Sequence, residues 1–153
     1  CGVILKKNTN GSLELNKSNK GSIWICNKNG ILSNGDYISS SSVQGYGMLQ
    51  HTNKLLNSTV AKITCDCNFS LTKIVKQKIK LDSSTNIDYD ANGDIQYVDD
   101  LDANGNQQMI YPLETRFLRA DATQITETEY NTRLAAGEPV YIACFVGCTY
   151  HCG

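Results

Sequence analysis

Apolar and polar residues alternate with a period of two along several short stretches of this chain, the pattern of a strand that turns one face to a core. In Thr59 to Phe69, the residues Ala61, Ile63, Cys65, Cys67 and Phe69 fall on one side. Val3-Ile4-Leu5, Ser22 to Cys26, Tyr37-Ile38, Leu71 to Leu81, Ile95 to Val98, Gln108 to Tyr111, Arg116 to Ala120 and Val140 to Val146 are likewise short and rich in β-branched or aromatic residues. Between them stand five Asn-Gly pairs, at Asn10, Asn29, Asn34, Asn92 and Asn104. Asn-Gly suits a type I′ turn, because both residues accept positive φ and the turn's twist matches that of its strands. Five such turns predict hairpins. The chain reads as a mainly β (β-rich α+β) domain, with many short strands in a barrel-like or sandwich arrangement.

One helix interrupts this pattern. Thr126 stands where an N-cap belongs and Glu129 follows three residues later, a capping box in which each side chain meets the other's free backbone N–H. The helix is expected over 126–136. Gly137 then supplies the left-handed residue past its end, and Pro139 prevents continuation. The acidic, turn-rich stretch 82–113 reads as a meander of hairpins inserted into a single domain spanning 1–153. Within it, Asp90-Ala91-Asn92-Gly93 is echoed by Asp102-Ala103-Asn104-Gly105. Asp90, Asn92 and Asp94 offer alternating oxygens, but an EF-hand loop needs Gly at its sixth position and Glu at its twelfth. Here Gly93 is fourth and Leu101 stands in place of the Glu, so these residues read as turn chemistry.

Composition narrows the partners. The 153 residues are 41% hydrophobic and 19% charged, with 14 basic against 15 acidic side chains. That balance gives neither a disordered chain nor a field of one sign, so no nucleic-acid partner is expected. No apolar run approaches the ~20 residues that cross a bilayer as a helix, and no membrane insertion is expected. The absence of an initiator Met is read as a preceding segment removed or a start inside a longer gene product. Asn10, Asn16, Asn57 and Asn68 head Asn-x-Ser/Thr sequons, which a secretory route would expose to glycosylation.

Seven cysteines stand at 1, 26, 65, 67, 144, 148 and 152. Cys144, Cys148, His151 and Cys152 form the set of metal-ligand candidates, with zinc as the ion that three thiolates and an imidazole would hold. On a strand, Cys144, Cys148 and Cys152 point to one side about 13 Å apart per step, and only a turn at Gly147 would gather them. Disulfides or buried thiols are therefore the expectation, and no cofactor is. Catalytic residues are not assigned. The chain begins with Cys and ends His151-Cys152-Gly153, but no Asn follows the histidine and His51 lies outside a Thr-x-x-His block, so splicing chemistry is not expected.

The densest motif is Gly35-Asp36-Tyr37-Ile38, four serines at 39–42, then Val43-Gln44-Gly45-Tyr46-Gly47-Met48. It describes a turn into a strand, a small polar run, and an aromatic flanked by glycines that permit a tight bend or close backbone approach. This run, continued by Asn57 to Ile63, resembles a segment in C-terminal intramolecular-chaperone domains of phage tail-spike and tail-fibre-like proteins and related structural proteins of large DNA viruses. Glu129-Tyr130 and Tyr141 to Gly153 look like the way such large-virus proteins end, and Cys1-Gly2-Val3-Ile4 resembles a strand within such domains.

The resemblance implies a viral structural protein: a virion-surface or fibre-forming subunit, located on a virion or outside a cell. Its partner would be itself, as a homotrimer or filament, with a host-surface receptor as a further partner. An autoproteolytic domain that trimerises a stalk is the alternative it carries, and a zinc-stabilised binding module is a third reading from the cysteines. Gly35, Asp36, Tyr37, Gly45, Tyr46, Gly47, Cys65 and Cys67 are the residues expected to shape structure and assembly. Lys73, Lys76, Lys78 and Lys80 suit a solvated strand face that protects a sheet edge.

Overall fold

The computed structural model describes residues 19–151 throughout, and before them the backbone of two strands, β1 (Val3–Lys7) and β2 (Leu13–Asn16), which pair antiparallel. Asn10, together with the terminal residues Cys1, Gly2 and Cys152, lies outside the described residues. There follow β3 (Lys20–Cys26), β4 (Tyr37–Ser40), β5 (Gly47–Leu49), β6 (Thr59–Ile63), β7 (Ile74–Val75), β8 (Gln77–Ile79), β9 (Tyr97–Asp99), β10 (Met109–Ile110), β11 (Thr115–Arg119), β12 (Gln124–Ile125), α1 (Glu127–Ala135) and β13 (Val140–Tyr150). The protein is mainly β, as its alternation predicts, with a closed five-strand barrel and additional strands.

The chain divides into two compact units, 1–70 with 113–153, and Leu71–Pro112. The inserted unit thus begins eleven residues before the expected 82. Its first strands, β7 and β8, pair with β10 and β9 inside the same unit, which is why the lysine-rich segment belongs to the insertion.

In the larger unit β3, β5, β4, β6 and β13 close the barrel. The eleven-residue β13 makes closure possible. Its residues 143–149 pair with β3 on one edge, while its other edge is shared, β11 taking residues 140–144 and β6 taking 148–150. The remaining seam is the parallel pairing of Ile25 with Gly47. Strand alternation sends Ile25, Ile38, Ala61, Ile63, Cys144, Val146 and Cys148 inward, each no more than 3% exposed. The opposite sheet face holds a second cluster, in which Cys26, Val43, Leu118 and Ala143 are fully buried beneath Trp24, Tyr46, Met48 and Tyr141.

Thr59 to Phe69 is a continuous strand only to Ile63. Thr64 N–H then donates to the Gly147 carbonyl, and Cys67 joins Leu32 in an isolated bridge. The alternation survives as burial, with Ala61, Ile63, Cys67 and Phe69 buried, while Cys65 at the break is half-buried. Helix α1 has its N-cap at Thr126, whose Oγ1 accepts from Glu129 N–H at 3.1 Å. The reciprocal half of the capping box is not made. Glu129 pairs instead with Arg133 one turn on, at 2.8 Å. Gly137 takes φ +77° beyond the helix, as expected.

The Asn-Gly turns differ from type I′. None of the described Asn residues has positive φ, whereas Gly30, Gly35, Gly93 and Gly105 do. In Asp90–Asp94, Gly93 N–H donates to the Asp90 carbonyl and Asp90 N–H to the Asp94 carbonyl, a turn followed by a left-handed glycine. The cause is the aspartate: its Oδ1 accepts from the N–H groups of Asn92 and Asp94, holding Asn92 on the negative-φ side. Asp102 does the same for Asn104 and Asn106. Asp82 repeats it again for Ser84 and Asn86, with Thr85 at φ +64° where the other turns have glycine. A β-branched residue is costly there. Thr85→Gly is therefore expected to stabilise the protein by about 1 kcal/mol, read as a higher urea midpoint. An unchanged or lower midpoint would show that this turn is not held in the left-handed region.

Candidate functional site

The glycine-serine motif builds a clasp over the sheet. Gly45, at φ +87° with open space beside it, turns the chain. Ser41 Oγ donates to the Tyr46 carbonyl (2.5 Å), with the Val43 carbonyl also within 3.1 Å, and accepts from Val43 N–H (3.1 Å), so the serine run is folded onto itself. Val43 thereby becomes fully buried. Tyr46 packs edge-on to Trp24 at 6.1 Å, and its hydroxyl accepts from Arg116 at 3.2 Å. The Arg116 guanidinium lies 3.9 Å from the centre of the Trp24 ring, a cation–π stack that fixes the clasp to β11 and β3. Gly47 serves a different need: a side chain there would collide with Ile38 inside the barrel.

Gly35 (φ +95°) and Asp36 form the turn into β4. Asp36 Oδ2 accepts from Ser33 N–H at 2.8 Å, and Asp36 N–H donates to the Ser33 carbonyl at 3.0 Å. That carboxylate closes a turn, a structural role. Tyr37 points to the outer barrel face, with Lys62 Nζ 5.7 Å from its ring centre and the His151 ring edge-on at 5.6 Å.

The cysteines separate along these same faces. β13 runs uninterrupted through Gly147, so no turn gathers Cys144 and Cys148 with the terminus. Those two thiols point into the barrel, whereas His151 lies on its outer face against Tyr37. Among the described residues, no three His, Cys, Asp or Glu side chains come together as a metal set. Cys26, Cys65, Cys67, Cys144 and Cys148 are free thiols, and among the described residues no disulfide is within bonding distance, so of the two alternatives expected these five take the unbridged one. Inside the barrel, the Cys67 thiol donates to Cys144 Sγ. That bond, and then burial, push Cys67 far above the ordinary thiol range. Cys144 is lowered by the bond it accepts from Cys67, against its burial. Burial raises Cys148. Cys67 and Cys148 are thus held protonated, and the three thiols serve as packing residues of the interior.

The inserted unit has a different organisation, which sequence reading missed. Two closed rings of three backbone hydrogen bonds run through it. In one, Lys80 donates to Gln96, Gln96 to Asp88 and Asp88 to Lys80, at 2.9, 3.1 and 3.0 Å. In the other, Lys76 donates to Gln108, Gln108 to Asp100 and Asp100 to Lys76, at 2.7, 3.1 and 2.8 Å. Each ring contains one Lys, one Asp and one Gln. Their side chains pair within the rings: Lys80 Nζ is 3.2 Å from Asp88 Oδ2 and 3.3 Å from Gln96 Oε1, and Lys76 Nζ is 3.2 Å from Asp100 Oδ2. The Asp88 and Asp100 side chains are 31% and 20% exposed. Twelve large apolar residues of the unit are 37–57% exposed, and no residue between Leu71 and Pro112 is buried. Apolar and polar side chains are exposed to a similar degree, Lys76 and Lys80 at 44% and 45%, so the unit has no buried core of its own.

No protein-family model, curated protein or solved structure matches the chain.

Proposed function

We propose that this chain is a noncatalytic structural subunit that self-associates through β-rich surfaces, in the manner of a virion-surface or fibre-forming protein. The observation that carries the reading is the inserted unit, which leaves twelve large apolar residues exposed and buries none. Exposed apolar residues in this number mark a surface used for interaction, and a unit of this size without a core gains stability when a neighbour covers it. The clasp and barrel suit the same role: the motif side chains are spent on packing and turn geometry. The fibre-type role and a location on a virion or outside a cell follow from the sequence resemblance.

Light scattering across a concentration series, with and without reductant, tests this. A mass that is a multiple of 16.8 kDa and falls on dilution is expected. A constant 16.8 kDa at every concentration up to the high micromolar range overturns the proposal.

A further inference from the structure

We infer that the contact between copies is made by the inserted unit against the same unit of a second copy, through the apolar residues flanking the Lys80–Asp88–Gln96 ring. This deepens the self-association reading and rests on it. Three cross-strand pairs surround that ring: Ile79 with Tyr97, Leu81 with Ile87, and Tyr89 with Ile95. Each member is the immediate chain neighbour of a ring residue. Because successive strand side chains point to opposite sides, these six project away from the point where the Lys80, Asp88 and Gln96 side chains converge. All six are 37–57% exposed.

Size and residue character point to the occupant, and charge removes one competitor. The six residues around the ring present on the order of 600 Å² of surface, approaching the about 800 Å² that each partner contributes to a stable protein interface. A second copy of the unit supplies an equal area of the same character, with tyrosines and isoleucines as the large anchors that concentrate binding energy. The unit carries seven Asp against four Lys, and three Asp-led hairpin turns. That excess of negative charge disfavours an anionic lipid surface as the cover.

The test uses the full chain. Tyr89→Lys combined with Tyr97→Lys is compared with the wild type and with Ile31→Lys combined with Leu134→Lys, which places the same charges on exposed apolar positions of the other unit. Far-UV circular dichroism and the melting curve confirm folding. Light scattering is expected to show the tyrosine variant dissociating at concentrations at least a hundredfold higher than the wild type, with the control unchanged. Hydrogen exchange provides a second readout: wild-type protection over residues 79–97 should rise with concentration. A tyrosine variant that assembles like the wild type, or concentration-dependent protection confined to the barrel, overturns this inference while leaving self-association standing. A wild type that stays single overturns both.

Discussion

Gly47→Ala is expected to lower stability by about 3 kcal/mol, at the upper end of overpacking costs in a closed core. The new methyl would be driven into Ile38 Cγ2 and stand 3.3 Å from the Ser39 carbonyl oxygen and 3.7 Å from Ile25 Cγ2. None of the three neighbours can give way, since Ile25 and Ile38 are fully buried and Ser39 is held in β4. The position is also the seam: Ile25 with Gly47 is the parallel pair joining β3 to β5, so a displaced Gly47 opens the barrel along that line. Gly45→Ala, two residues away, separates conformational strain from crowding. It has φ +87° and nothing within 4 Å of the added carbon, so its cost should be about 1 kcal/mol. Urea unfolding of both variants reads the difference. Equal losses at the two positions would mean that the seam is loose enough to accept a methyl.

The barrel was legible in the sequence because alternation reports which face is buried, and that signal survives local breaks. Ala61, Ile63, Cys67 and Phe69 are all buried even though the strand ends at Ile63, the chain bends at Thr64 and Cys65, and Phe69 takes φ +53°. The helix limits were legible for a similar local reason, Thr126 and Gly137 each acting on the nearest backbone groups. What depended on distant partners was not. The alternation marks the last strand only as far as Val146, yet β13 continues through Gly147, where a side chain would stand 2.9 Å from Thr64 Oγ1. The two Lys-Asp-Gln rings join residues 24 and 8 apart in one case and 8 and 8 apart in the other, a relation that no period of a single strand reveals. A weak signal exists: Asp82, Asp90 and Asp102 each begin the same five-residue turn, but the first lacks the Asn-Gly pair that marks the other two. Of the expected assembly residues, Tyr37, Gly45, Tyr46 and Gly47 gather around β4 and β5, whereas Cys65 stands apart at a strand break.

Stability should fall with rising alkalinity above about pH 8.5, where thiols of an unfolded chain ionise. Cys67 and Cys148 are both held protonated in the fold, the first by its bond to Cys144 and by burial, the second by burial. Above the unfolded thiol range the unfolded chain therefore binds fewer protons than the native one, and the sign of linkage makes stability decrease with pH. The contribution of each raised thiol is fully present below pH 8.5. For Cys67 the loss deepens with each further pH unit, because the fold retains a proton that the unfolded chain has given up. Cys144 has the opposite sign, being lowered, so the pair as a unit surrenders one proton readily and withholds the second. Burial of Tyr130 and Tyr150 adds a loss in the same direction only above about pH 10, where unfolded tyrosines ionise. Urea midpoints measured under reductant from pH 7 to 10 should decline for the wild type, and Cys67→Ala, although less stable at pH 7, should decline less steeply. A flat wild-type profile, or an identical slope in the variant, would mean that water or a cation reaches the thiols and that the barrel interior is not sealed.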